Sequence, residues 1–155
     1  MVRIAVCGGQ HFGKTVPEKR FIYKTLHEIA GTETVCVIQG GASGSDKIAK
    51  QWARRNKHKW LTFKAEWKNL EAPNAVVDIG ADGKPYNKMA GFERNQRMLD
   101  EGRPDLLVAF PGNKGTRDTI RRARILGIEF LEVSFDLERF EQAAESRIGD
   151  SGLEC

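Results

Sequence analysis

Three glycine-bearing segments of this 155-residue chain have the composition of an anion cradle. They are Gly8-Gly9-Gln10, Gly40-Gly41-Ala42-Ser43-Gly44, and Pro111-Gly112-Asn113-Lys114-Gly115-Thr116. Glycine permits positive φ and lets backbone N–H groups approach a phosphate closely, while a helix beginning just after such a loop adds a partial positive charge. Each loop alone would also serve as an ordinary tight turn between a strand and a helix, and it is the convergence of three that favours a phosphate site. Arg94 has the planar fork that clamps phosphate, or that pairs with a neighbouring acid on the surface. Thr116 can hydrogen-bond a phosphate or cap its helix, Asp46 can cap a helix or contact a ribose, and Trp67 can stack on a base or pack beside a long loop.

These residues need a frame that delivers them to one place. Short apolar runs alternate with helical patterns, which is the rhythm of parallel strands joined by crossover helices. Strands are expected at Val2 to Cys7, Thr34 to Gln39, Lys59 to Lys64, Asp105 to Phe110 and Ile128 to Val133. The intervening helices include one with Pro17 in its first turn and Gly31 at its end, one begun by Ser45 or Asp46 as cap, one over Ala90 to Glu101, a basic one ending near Gly127, and a last one over Leu137 to Ala144. Residues 65–88, with Pro73, Gly80, Gly83 and Pro85, read as a long irregular loop from which base recognition would come. The expected fold is α/β: a Rossmann-like, doubly wound, mainly parallel sheet of about five strands with helices on both faces. In such a sheet the loops leaving the strands' carboxyl ends open on one edge, where ligands bind at the point of strand-order reversal.

Residues 1–145 are expected to form one domain, and 146–155, polar and glycine-bearing, a flexible tail. The composition is globular, 40% hydrophobic and 30% charged, and the net charge of +4 suits an anionic ligand. Cys7 and Cys36 fall in apolar strands and Cys155 is terminal, a pattern of a reducing compartment, so a cytoplasmic location is expected. His11, His27 and His58 are scattered without zinc-ligand spacing, and no metal or cofactor is expected. No apolar run approaches membrane-spanning length.

Taken in order, Gly40-Gly41-Ala42-Ser43-Gly44-Ser45-Asp46 with Trp52-Ala53, Ala65-Glu66-Trp67, Gly91-Phe92-Glu93-Arg94-Asn95-Gln96-Arg97-Met98 and Pro111-Gly112-Asn113-Lys114-Gly115-Thr116 resemble the SLOG superfamily over about residues 2 to 133. The resemblance is to its YspA-type group, often encoded by phages and bacteria and related to lonely-guy phosphoribohydrolases and to the DNA-processing SMF/DprA Rossmann-like domains. It implies a nucleotide or nucleotide-derived ligand, held by Gly8, Gly9, Gln10, Gly40, Gly41, Ala42, Ser43, Asp46, Trp67, Asn95, Pro111, Gly112, Asn113, Gly115 and Thr116, and a homodimer. In the hydrolases the corresponding loop reads Pro-Gly-Gly-x-Gly-Thr-x-x-Glu, after a helix with a Glu-Arg pair before a Met. Glu93-Arg94 and Met98 match that helix, which puts Arg94 in the place of the catalytic arginine. Asn113 replaces the second glycine, Thr119 the glutamate, and Gln10 an arginine common in the group. An oxocarbenium-like transition state needs a carboxylate, so hydrolysis of a nucleoside monophosphate's N-glycosidic bond would fall to Asp118 or Glu93. A sensor that binds without catalysis is the alternative.

Two further readings compete. Gly8-Gly9-Gln10-His11-Phe12-Gly13-Lys14-Thr15 satisfies the P-loop pattern after a strand, although Pro17 falls where that motif's helix should already run. Lys114, Arg117, Arg121 and Arg124 share one side of a helix, as in a nucleic-acid module, with Asp118 and Glu129 interrupting them. Nucleic acid is therefore the lesser partner hypothesis.

Overall fold

The computed structural model describes the backbone of residues 1–153 and the side chains of residues 1–146. Strand alternation organises the core. In β1 (Val2–Cys7), Ile4 and Val6 enter one hydrophobic cluster while Ala5 and Cys7 enter another on the opposite face. β2 (Val35–Gln39) divides likewise, Val35 and Val37 against Cys36 and Ile38, and is buried along its whole length. Period-two patterning with apolar residues on both faces marks strands covered by helices on both sides.

The main sheet has five parallel strands in the order β3-β2-β1-β6-β7, with β3 (Lys59–Thr62), β6 (Leu106–Ala109) and β7 (Phe130–Glu132). From β1 the chain steps outward to β2 and β3, then returns to lay β6 on the other side of β1, so the strand order reverses between β1 and β6. One face carries α1 (Val16–Ala30) and α2 (Ser45–Arg55), with α5 (Leu137–Leu153) against α1; the other carries α3 (Ala90–Gly102) and α4 (Lys114–Leu126). The expected α/β, Rossmann-like, doubly wound architecture is what the chain adopts. The last helix, expected to end at Ala144, runs on to Leu153 as part of α5; the side chains of 147–155, most of the segment expected as a tail, lie outside those described.

Two further local features differ from expectation. Residues 65–88 are not wholly irregular: β4 (Val77–Ile79) and β5 (Pro85–Asn87) pair antiparallel. Asn87 fixes this hairpin to the start of α3, because its buried Oδ1 accepts the N–H groups of Val76 (3.2 Å) and Met89 (3.0 Å). The second difference lies at α2, where neither Ser45 nor Asp46 caps the helix. Gly44 holds the N-cap position without a side-chain bond, and Asp46 turns its carboxylate backwards into the preceding loop.

Candidate functional site

At the β1/β6 reversal the loops after β1, β2 and β6 enclose a cleft of about 840 Å³. The first and third loops are tied together by Gly9 N–H donating to the Pro111 carbonyl (2.8 Å), and this closeness leaves no room for side chains. A Cβ on Gly112 would collide with Thr116 Oγ1 and lie 2.7 Å from Gly9 N. One on Gly40 would collide with the Arg94 guanidinium, its Cζ only 2.7 Å away.

Most of the sequence-predicted ligand residues line this cleft: Gly8, Gly9, Gln10, Gly40, Ala42, Asp46, Asn95, Pro111, Gly112, Asn113, Gly115 and Thr116, with Arg94 among them. Gly41 and Ser43 do not. Gly41 turns its N–H to Gln39 Oε1 (2.7 Å), and Ser43 is exposed with its hydroxyl donating to the Gln10 carbonyl (3.3 Å). Trp67 also lies outside, half-exposed beside Tyr86 and against Gly91.

Arg94 reaches the cleft from the first turns of α3, its Nη1 donating to the Gly40 carbonyl (2.6 Å) and its Nε to Asn95 Oδ1 (3.0 Å). Nη2 has no partner among the described residues. Burial lowers the arginine's pKa and the nearby Asp46 works against that shift, so the group is a partly desolvated cation with one donor face to spare. Facing it, α4 opens without a cap: Asn113 is the N-cap and makes no side-chain bond. The first N–H groups of a helix have no intrahelical acceptor, and here Lys114, Gly115 and Thr116, which carry them, all line the cleft. Thr116, a buried residue at the third helical position, packs its hydroxyl on Gly112 and makes no capping bond.

The acids divide by helical phase. Asp118 is 7% exposed and its carboxylate is consumed between α3 and α4 by Arg122 Nε (2.7 Å), Arg121 Nη2 (2.9 Å) and Asn95 Nδ2 (3.1 Å). Burial alone would raise its pKa, but these three donors outweigh burial and hold the carboxyl below its ordinary range. Glu93 points to a separate pocket on the outer side of α3, its Oε2 accepting from Asn87 Nδ2 (3.4 Å). Among the described lining residues the acid of the cleft is Asp46. Its Oδ2 accepts the Gly40 and Ala42 N–H groups (3.1 and 3.2 Å), so it serves as a clamp on the second glycine loop.

Cys7, His11, Phe12, Met98, Lys114 and Thr119 also line the cleft and went unnamed as site residues. His11 and Lys114 belong to the same loops as named residues, and Met98 lies one turn beyond Arg94, so spacing alone could have found them. The P-loop reading fails on local bonds. The N–H groups of Gly13 (2.9 Å), Lys14 (3.1 Å) and Thr15 (3.4 Å) all donate to Glu18 Oε1, while Lys14 Nζ donates to the Ser43 carbonyl (3.0 Å). The amides and lysine that such a loop would turn on phosphate are already engaged, and Thr15 caps α1.

No helix among the described residues is long and apolar enough to cross a membrane, and no cluster of metal-ligating side chains occurs among them. Comparison with known proteins identifies the lineage. The Gene 61 protein of Mycobacterium phage D29 is 34% identical over 98 residues, which are 61% of this chain and 68% of that protein. The fold is shared with DNA processing protein A (DprA) from Streptococcus pneumoniae at a TM-score of 0.62 and 16% identity, covering 88% of this chain and 51% of that one. This chain thus spans about half the length of that structure. DprA from Helicobacter pylori, whose structure is described for its unique single-stranded DNA binding mode, aligns at a TM-score of 0.59 and 15% identity, over 94% of this chain and 81% of that one. Residues 2–70 match the family described as "YspA, cpYpsA-related SLOG family". With the residues and the fold in agreement, the chain belongs to the YspA, cpYpsA-related SLOG family.

Proposed function

We propose that this protein is a binding domain for a nucleotide or nucleotide-derived compound, whose phosphate sits between the open N-terminus of α4 and Arg94. The observation that carries the reading is the uncapped start of α4 facing the same cleft as Arg94, with glycine loops from β1 and β2 completing the wall. Unpaired helix N–H groups, the positive end of the helix dipole and a guanidinium are the donors a phosphate requires. Base release from a nucleoside monophosphate is the weaker form of this reading, because Glu93 and Asp118 do not line the cleft. A phosphate of a nucleic-acid strand would meet the same donors. The fold shared with Helicobacter pylori DprA, described for single-stranded DNA binding, supports that second reading. A homodimer, which the family resemblance implies, is checked by the mass in solution.

Calorimetry with nucleoside 5′-monophosphates tests the proposal. Binding is expected in the native protein and is expected to weaken by about 10- to 100-fold in Arg94→Ala, the worth of a charge-assisted hydrogen bond. Failure of every monophosphate to bind sinks the reading. Chromatography of the same mixtures tests the hydrolase form, which requires free base to accumulate in the native protein and not in Arg94→Ala.

A further inference from the structure

Asp46 has a task left over once it has clamped its loop. The side chain is 5% exposed and lines the cleft, and Oδ2 is occupied by the Gly40 and Ala42 N–H groups. Oδ1 is fully buried and accepts nothing. A buried carboxylate oxygen without a donor is costly, and such orphans in a native fold call for a reason. The clamp does not supply one, because Oδ2 alone performs it.

We infer that Asp46 Oδ1, buried in the conformation described, turns toward the cleft on binding and accepts from a neutral donor, a sugar hydroxyl or a base amino group, carried by the same ligand whose phosphate occupies the cradle. This rests on the phosphate reading above. A second anion beside Oδ1 would be repelled by the carboxylate, whereas a hydroxyl or amino group would satisfy it. The site therefore selects compounds that combine a phosphate with a donor over phosphate alone. The charged and titratable groups facing Asp46 are Arg94 from α3 and Cys7 at the end of β1, with His11 and Lys114 elsewhere on the cleft wall. Arg94 does not satisfy Oδ1, which accepts no hydrogen bond among the described residues, and its Nη1 and Nε donate to Gly40 and Asn95 instead.

Burial pushes the Asp46 carboxyl up to about 6, against the opposing pull of the Ala42 and Gly40 N–H groups and of Arg94. A donor arriving at Oδ1 favours the ionised form and expels a proton, whereas an anion arriving nearby without a donor draws one in. Ligand identity and proton traffic thus report on the same atom.

The test is calorimetry at pH 6 in two buffers of different ionisation enthalpy. The ligands are adenosine 5′-monophosphate, its 2′,3′-dideoxy form, inosine 5′-monophosphate, ribose 5-phosphate and inorganic phosphate, each with the native protein and Asp46→Asn. Asparagine keeps an acceptor for the Gly40 and Ala42 N–H groups. For adenosine 5′-monophosphate the native protein is expected to release more protons than the variant. For inorganic phosphate it is expected to release fewer. In the native protein alone, which makes the test independent of the variant's folding, removing the responsible donor should cost about tenfold or more in affinity. Loss on dideoxy substitution, with ribose 5-phosphate outbinding inorganic phosphate, assigns the sugar; loss with inosine 5′-monophosphate assigns the base amino group. Equal affinity across the nucleotides, or proton release identical in native protein and variant, overturns the role of Asp46 while leaving the phosphate cradle standing. Failure of all five to bind removes the cradle and this inference together.

Discussion

Gly40 and Gly112 occupy similar positions in their loops, yet substituting them should have different consequences. A Cβ at Gly40 meets the end of the Arg94 side chain, which can swing away, so Gly40→Ala should cost less than about 1 kcal/mol of stability while displacing the guanidinium and weakening monophosphate binding. At Gly112 the Cβ meets a short, buried threonine and the backbone nitrogen of Gly9, which yield only if the loop moves. Gly112→Ala should therefore lose about 1–3 kcal/mol as well as binding. Urea melts alongside calorimetry separate the two, and equal stability losses would contradict the geometry. Asp118 provides a second contrast. Removing its charge in Asp118→Asn leaves Arg121 and Arg122 with a poorer acceptor, at an expected cost of about 1–3 kcal/mol at pH 7. Because its folded-state pKa is depressed, the native carboxylate's contribution is complete above the unfolded-state value of about 4 and is lost as pH falls through the lower folded-state value. The gap between the urea midpoints of the two proteins should accordingly close in acid, and a gap constant down to pH 2 would show that the carboxylate's charge is not what holds α3 to α4.

Between residues and fold lie the elements, and here what could be read from the chain separates from what could not. The three inner parallel strands, β2, β1 and β6, were legible because both of their faces are buried, which leaves apolar runs such as Leu106–Ala109 in the sequence, while the edge strands β3 and β7 are largely exposed and carry a weaker pattern. The β4–β5 hairpin was not: its strands are three residues each, Val77 and Ile79 are exposed, and nothing periodic marks them. It is held by the buried amide of Asn87, a polar network with no pattern that a hydrophobic reading could detect. The site divides for a related reason. Glycine loops and Arg94 could be placed because topology sends loops to one edge, whereas Glu93 and Asp118 are each one helical position, roughly 100°, from residues that do face the cleft. Adjacent letters in a motif need not share a helix face. The hairpin also yields a prediction. Asn87→Ala strips the acceptor from the Val76 and Met89 N–H groups, so hydrogen exchange across 65–88 should accelerate and stability fall by about 1–3 kcal/mol. Monophosphate affinity should stay within about twofold, since Asn87 and Trp67 lie off the cleft. A large loss of affinity in this variant would restore the 65–88 segment to the binding site.

At the scale of the whole molecule the question is whether a net charge of +4 and a basic helix amount to a surface for a polyanion. The cations of α4 are largely spent on their own protein. Arg117 pairs with Glu132, Arg121 and Arg122 pair with Asp118, and Arg124 lies over the Phe130 ring at 5.2 Å. Lys114 is the α4 cation that lines the cleft, and Arg94 joins it from α3. A strand of nucleic acid would therefore find about two cations placed for its phosphates and would release few counterions. For a short single-stranded oligonucleotide the slope of log affinity against log salt should be no steeper than roughly −1.4, at about −0.7 per phosphate neutralised. Fluorescence anisotropy across a salt series measures it, and a nucleoside 5′-monophosphate added at fixed salt should displace the oligonucleotide, because both use the donors at the start of α4. A slope near −3 or steeper, with no displacement by the monophosphate, would mean that the α4 ion pairs open to receive a strand. It would also place nucleic-acid binding on the helix surface instead of in the cleft.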